Sequence, residues 1–299
     1  MIVRDRLPFN RVWPHVSKRL ALLFLFDLSI AGLYSSGCTW LALSSLPMGT
    51  MGAALSLFLA FRNNSAYGRW WEARILWGAL VNWSRSIARQ ALTFLSSDDE
   101  DTRERQTLLV HYMIAFVCAL RCHLRGQSPL AELCGILGAA RTKELRRHDN
   151  IPSAIVLEMG NLARSAYQNG WMDSYRFVRF EESLTELTNI MGGCERIKNT
   201  PLPRQYEYFP RLLVSFFCLM LPFGLVEGMG MLTPLASTAI SFIFISLDSV
   251  GRELEDPFEN TVHDTPMTGL SRTIEINLRQ QLEEHTRLEK VTPVHGFVY

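Results

Sequence analysis

The stretch "LSLFLAFRNNSAYGRWWEARILWG", residues 55–78, begins as an apolar helix and turns polar at Arg62-Asn63-Asn64. The uncharged run leading into it, Met48–Phe61, has 14 residues. At about 1.5 Å per residue it covers roughly 21 Å, short of the ~30 Å hydrocarbon core of a bilayer. Carrying the helix on to Tyr67 gives 20 residues, enough to span. Arg62, Asn63 and Asn64 then lie at membrane depth or near its cytoplasmic edge, where polar groups must face protein or water.

Three further apolar stretches surround this one. Leu20–Leu46 is interrupted only by Asp27, with Gly37 and Pro47 as breakers. A third runs from about Phe209 to Val226, after Pro201, Pro203 and Pro210 and with Pro222 inside it. The fourth is Met229–Leu247, followed by Asp248. Four segments put both termini on one side. The basic residues Arg4, Arg6, Arg11, Lys18 and Arg19 assign that side to the cytoplasm. No small-residue cleavage site follows them, so they read as a flank and not a cleavable signal.

Between the second and third stretches lies a different kind of chain. Leu108–Leu120 is apolar, but its 13 residues and its His111 suit a buried core helix. Residues 129–147, 153–169 and 173–193 carry apolar positions at helical spacing. Asn150-Ile151-Pro152 and Asn169-Gly170 mark turns, and 97–105 (SDDEDTRER) reads as a charged surface loop. The expected fold is all-α: a cytosolic segment 1–19, two membrane helices in 20–70, a helical cytosolic domain 71–205, two more membrane helices in 206–250, and a cytosolic tail 251–299.

Composition narrows the function. A net charge of +1 gives no electrostatic argument for nucleic acid. The seven histidines (15, 111, 123, 148, 263, 285, 295) are scattered, and no H-E-x-x-H, G-x-S-x-G or phosphate-cradling glycine loop appears. No catalytic residue and no cofactor is expected. Cys118 and Cys122 sit one helical turn apart near His111 and His123. Zinc sites draw tighter pairs from two elements, so the six cysteines read as reduced thiols and no metal is expected.

Three motifs and the opening M-I-V-R carry a resemblance. F-R-N-N-x-x-Y-x-R-W-W-E-A-R (61–74), G-C-E-R-I-x-N-T-P-x-P (193–203) and E-L-E-D-P-F (253–258), in this order and spacing, resemble the bacterial bestrophin-like family over almost the whole chain. The resemblance implies a homopentameric ion channel in the lipid bilayer, with one central pore and four membrane helices per subunit. The second helix of each subunit lines a narrow hydrophobic neck, and a second constriction, the aperture, lies at the cytosolic end. Eukaryotic members are calcium-activated anion channels; bacterial relatives need not share that selectivity.

Aligned on F-R-N-N, the neck residues are Ala53, Leu57 and Phe61, at four-residue spacing and so on one helix face. Five copies turn each into a ring, and apolar rings gate by dewetting. The family usually has a bulky residue where this chain has Ala53, so Leu57 and Phe61 are expected to set the minimum radius. Asn64 lies close to the same stripe and is placed below the neck. Arg62 turns about 100° away and is expected to pair with an acid from another segment, with Asp248 preferred over Asp27 and Glu227. Counting back from Cys194 puts the aperture at Tyr175; a one-residue slip would put Arg176 there. Where eukaryotic relatives hold calcium with a dense acidic run, this chain keeps only Glu259 and Asp264, too few for a calcium clasp. A secondary transporter, a membrane enzyme and a scaffold without transport are the other readings. The first would favour inverted repeats, and none is visible.

Overall fold

The computed structural model describes residues 9–96, 100–284 and 288–292, with the side chains of 9–16 and of Leu46 left aside. The described elements are all helical. They are α1 (Phe9–Ser35), α2 (Ser45–Phe94), α3 (Glu100–Leu124), α4 (Leu130–Leu137), α5 (Ala139–Leu145), α6 (Ile151–Gln168), α7 (Ser174–Asn199), α8 (Arg204–Met229), α9 (Thr233–Glu255) and α10 (Met267–Gln281). Contacts divide the chain into two units. Of the described residues, the first takes in 9–70 with Pro201–Asp256; the second takes in those of 71–200 and those from Pro257 on.

In the first unit α1, α8 and α9 pack together around Leu20, Leu55, Leu59, Val214, Phe217, Leu221, Phe244 and Ile245. Phe217 and Phe244 meet edge to face, 4.9 Å between centroids. The apolar stretch Leu20–Leu46 is not one helix. α1 stops at Ser35, because Gly37 takes a φ of +106°, a conformation that favours glycine. Pro47 does not end an element but sits in the first turn of α2, where its missing N–H costs no helical bond. Pro210, expected before the third stretch, lies inside α8 with Pro222. The fourth stretch starts as a helix only at Thr233, after a 3₁₀ turn at Gly230–Leu232.

In the second unit α3 is the central rod. Leu109, Val110, Met113, Phe116, Leu120 and Leu124 are buried along it, and α4, α6, α7 and α10 pack around it. Residues 97–99 lie outside the described residues, but the rest of the expected charged loop is the start of α3. Glu100 and Asp101 occupy its first turn, where acids complement the helix dipole. The single helix expected over 129–147 is broken by Gly138 at φ +81° into α4 and α5. Asn150 is not a mere turn residue: its side chain accepts from Ser153 N and caps α6, with Pro152 in the first turn. α10 is an element the hydrophobic pattern did not announce.

Candidate functional site

The front of α2 has two faces of opposite character. Leu55, Leu59, Arg62 and Ala66 are buried against the first unit. Ala53, Leu57, Phe61 and Asn64 are exposed, with Leu57 at 58% and Phe61 at 60%. Residues four apart stack on one side of a helix, so Ala53, Leu57 and Phe61 form one continuous apolar stripe, with Asn64 close to its end. This leaves a leucine and a phenylalanine bare on a helix whose opposite face is packed.

The packed face is fixed by a polar latch to α9. Arg62 Nη1 lies 2.5 Å from Asp248 Oδ1, with both side chains buried. Arg252 Nη2 lies 3.4 Å from the other carboxylate oxygen. Asn63 Nδ2 donates to Leu247 O at 3.0 Å, and Arg69 Nε donates to Glu255 O at 3.1 Å. The α9 backbone comes so close at Gly251 that a Cβ there would collide with Asn63 Oδ1. Gly251→Ala is therefore expected to cost about 1–3 kcal/mol through overpacking, read as a lower thermal midpoint. The double variant with Asn63→Ala should recover part of the loss. The other two acids have different surroundings: Asp27 is buried, with Thr238 Oγ1 at 3.5 Å from its Oδ2, and Glu227 is exposed.

In the second unit Tyr175 stands in the first turn of α7, 86% exposed. Its neighbour Arg176 is tied down: the guanidinium donates to Phe94 O at 3.2 Å and Ser96 Oγ at 3.3 Å, and pairs with Asp173. Of the two carboxylates where eukaryotic relatives hold calcium, Glu259 bridges to Lys198. Asp264 accepts from Thr261 N at 2.8 Å and Thr261 Oγ1 at 2.6 Å. Both are engaged with the chain itself.

The G-C-E-R motif is packing. A Cβ at Gly193 would meet Leu76 at 2.9 Å, so α7 lies close against α2 there. Cys194 is fully buried, and burial pushes its thiol up to about 12, with Glu195 and Glu72 adding to the shift. It is therefore an inert thiol at neutral pH. Glu195 accepts from Asn150 Nδ2 at 2.8 Å, and Arg196 bridges to Glu72. In E-L-E-D-P-F, Asp256 follows the last turn of α9 and Phe258 is buried in the core of the second unit. Sequence reading missed the backbone carbonyls of Leu247 and Glu255 and the role of Gly251. Carbonyls carry no residue-type signal, and a glycine inside a helix does not announce which neighbour needs the space.

Comparisons with known proteins agree across the chain. Residues 7–280 match the family described as Bacterial/Fungal Bestrophin protein. A voltage-dependent anion channel-forming protein of Ralstonia nicotianae is 35% identical over 298 residues, covering 95% of each chain. The voltage-dependent anion channel-forming protein YneE of Escherichia coli K12 is 36% identical over 309 residues, covering 98% of each. The crystal structure of a bacterial bestrophin homologue from Klebsiella pneumoniae superposes with a TM-score of 0.86 at 32% identity, over 91% of this chain and 100% of that one. The all-helical architecture and the full-length matches lead to one assignment: this chain belongs to the bacterial and fungal bestrophin family.

Proposed function

We propose that the chain is one subunit of a homopentameric ion channel of the bacterial inner membrane, conducting small monovalent ions through a neck at Ala53, Leu57 and Phe61. The observation that carries this is the exposed Leu57/Phe61 stripe on a helix whose other face is packed and latched. Rings built from such a stripe form an apolar constriction whose wetting controls conduction. Asn64, exposed one turn further on, offers amide groups to ions leaving the neck. Two relatives named for anion channel formation match over 95% or more of this chain and support the class.

In this reading α1 from Leu20, the front of α2, α8 and α9 cross the bilayer, and the ranges 1–19, 71–205 and 251–299 are cytosolic. By length and composition, α3 and the run Arg204–Glu255 are the described helices apolar enough to cross. α3 is left out because it is the buried rod of the second unit. α1 and α2 are included although they carry Asp27 and Arg62, because both groups are buried in protein. The exposed Lys18 and Arg19 at the start of the first span support cytoplasmic termini.

Tyr175 is proposed as the aperture ring, supported by its exposure and by the engagement of Arg176 elsewhere. Tyr175→Arg, at an exposed position, should leave assembly intact and raise the anion-to-cation permeability ratio about tenfold, equivalent to roughly 1.4 kcal/mol. An unchanged ratio removes Tyr175 from the pore. Calcium gating is not part of the proposal, since Glu259 and Asp264 already have partners within the chain.

The deciding experiment is a reversal-potential measurement in asymmetric salt, on the purified protein in planar bilayers, with calcium buffered and then added. A defined reversal potential that calcium does not alter is the expected result. Saturable flux without unitary conductance would transfer the protein to the transporters.

A further inference from the structure

The buried thiols of α3 form a cluster that the proposed pore does not use. Cys118 and Cys122 are one turn apart on α3 and both buried. After α3 the chain reverses at Gly126 (φ +64°) and returns as α4, which brings Glu132 against them. The two sulfurs and a Glu132 carboxylate oxygen all lie within 4.8 Å of one another. One edge of that triangle, Cys118 Sγ to Glu132 Oε2, is 3.2 Å. Around a tetrahedral metal with bonds of about 2.0–2.3 Å, ligand atoms stand roughly 3.3–3.8 Å apart. The triangle is therefore close to a chelating one, and the i, i+4 spacing is that of paired helical metal ligands.

A cation already sits at this triangle. Arg121 Nη2 is 2.5 Å from Glu132 Oε1, 3.8 Å from Cys118 Sγ and 3.7 Å from Cys122 Sγ. Beside it lies a cavity of about 40 Å³, lined in part by Cys118, Arg121, Glu132, Ser271 and Glu275. That volume holds a water. Ser271 Oγ is buried and has no hydrogen-bond partner among the described residues. The nearby histidines are engaged elsewhere, His111 with Glu284 and His123 with Glu195.

We propose that Cys118, Cys122 and Glu132 bind one thiophilic divalent cation of the zinc and cadmium class, with a water beside Ser271 as the fourth ligand. Two sulfur donors out of three exclude calcium and magnesium as the natural occupants. Two thiolates and a carboxylate carry three negative charges, which the divalent ion and Arg121 together neutralise. Arg121 withdraws from the sulfurs and keeps its bond to Glu132 as an outer partner. The ion then ties α3 to α4 inside the second unit.

The test is a titration of the full-length protein, purified in detergent and stripped of metal, with cadmium alone. One cadmium per chain is expected, with a sulfur-to-cadmium charge-transfer absorption of two thiolates and a rising thermal midpoint. Cys118→Ser and Cys122→Ser should each halve the absorption and weaken binding at least about tenfold. Glu132→Gln, at an exposed side chain, should keep the absorption and weaken binding by a similar factor. Absence of the band with the thiols still free would reduce the cluster to an Arg121–Glu132 bridge beside reduced thiols. A band unchanged in both cysteine variants would move the ion elsewhere, for example to the exposed Cys134. Loss of two thiols without metal would show a disulfide instead and overturn the proposal.

Discussion

Asp248→Asn is expected to abolish assembly of a stable protein, read as loss of the monodisperse peak in size exclusion and a large fall in thermal midpoint. The substitution keeps the shape and one acceptor oxygen but removes the charge. Arg62 is then left fully buried with Nη1 facing an amide 2.5 Å away. Breaking one side of a buried pair costs about 3–5 kcal/mol, against a total stability of about 5–15 kcal/mol for a folded domain. Arg252 does not rescue it, since its own contact with Asp248 is lost at the same time. The double variant Arg62→Met, Asp248→Leu removes both charges and should recover most of the loss, because an apolar pair of similar volume replaces a buried ion pair at little cost. Asp248→Asn melting like the unsubstituted protein would mean that the latch between α2 and α9 rests on Asn63 and Arg69 alone.

The helical class was legible because long apolar runs and apolar positions at helical spacing fill most of the chain from Leu20 to Leu247, and strand signals are nearly absent. The boundaries were less so. Gly138 and Gly37 end elements by backbone conformation, while Pro47, Pro210 and Pro222 sit inside helices that tolerate them. A list of breakers does not say which will break. α10 carries four buried residues in a mostly polar sequence, so its packing is set by its neighbours on α3. At the site, residue type took the reading as far as an arginine in need of an acid. It could not supply the α9 carbonyls that hold Asn63 and Arg69, nor Glu132 beside Cys118, since these juxtapositions are made by tertiary packing.

The exposed stripe sets up a test in which one face of α2 predicts opposite outcomes. Phe61→Ala removes five phenyl rings from the proposed neck at a position that is 60% exposed, so the chain's own packing should survive. An apolar ring opposes ions by keeping water out, and lowering that barrier by as little as about 1.4 kcal/mol raises the current about tenfold. Larger unitary conductance is therefore expected in bilayer recordings, with Leu57→Ala acting in the same direction. Ala53→Leu should do the reverse, because it adds a third bulky ring where this chain has a small one. Leu59→Ala on the buried face separates pore effects from stability. Leu59 is 1% exposed, so its truncation should cost about 2–5 kcal/mol of stability and leave the unitary conductance of the surviving channels as it was. If Phe61→Ala and Ala53→Leu both conduct like the unsubstituted protein, the stripe is an interface between subunits and the neck must be built from another element. If they move the current in opposite directions while Leu59→Ala moves only stability, the pore axis lies on the Leu57/Phe61 side of α2.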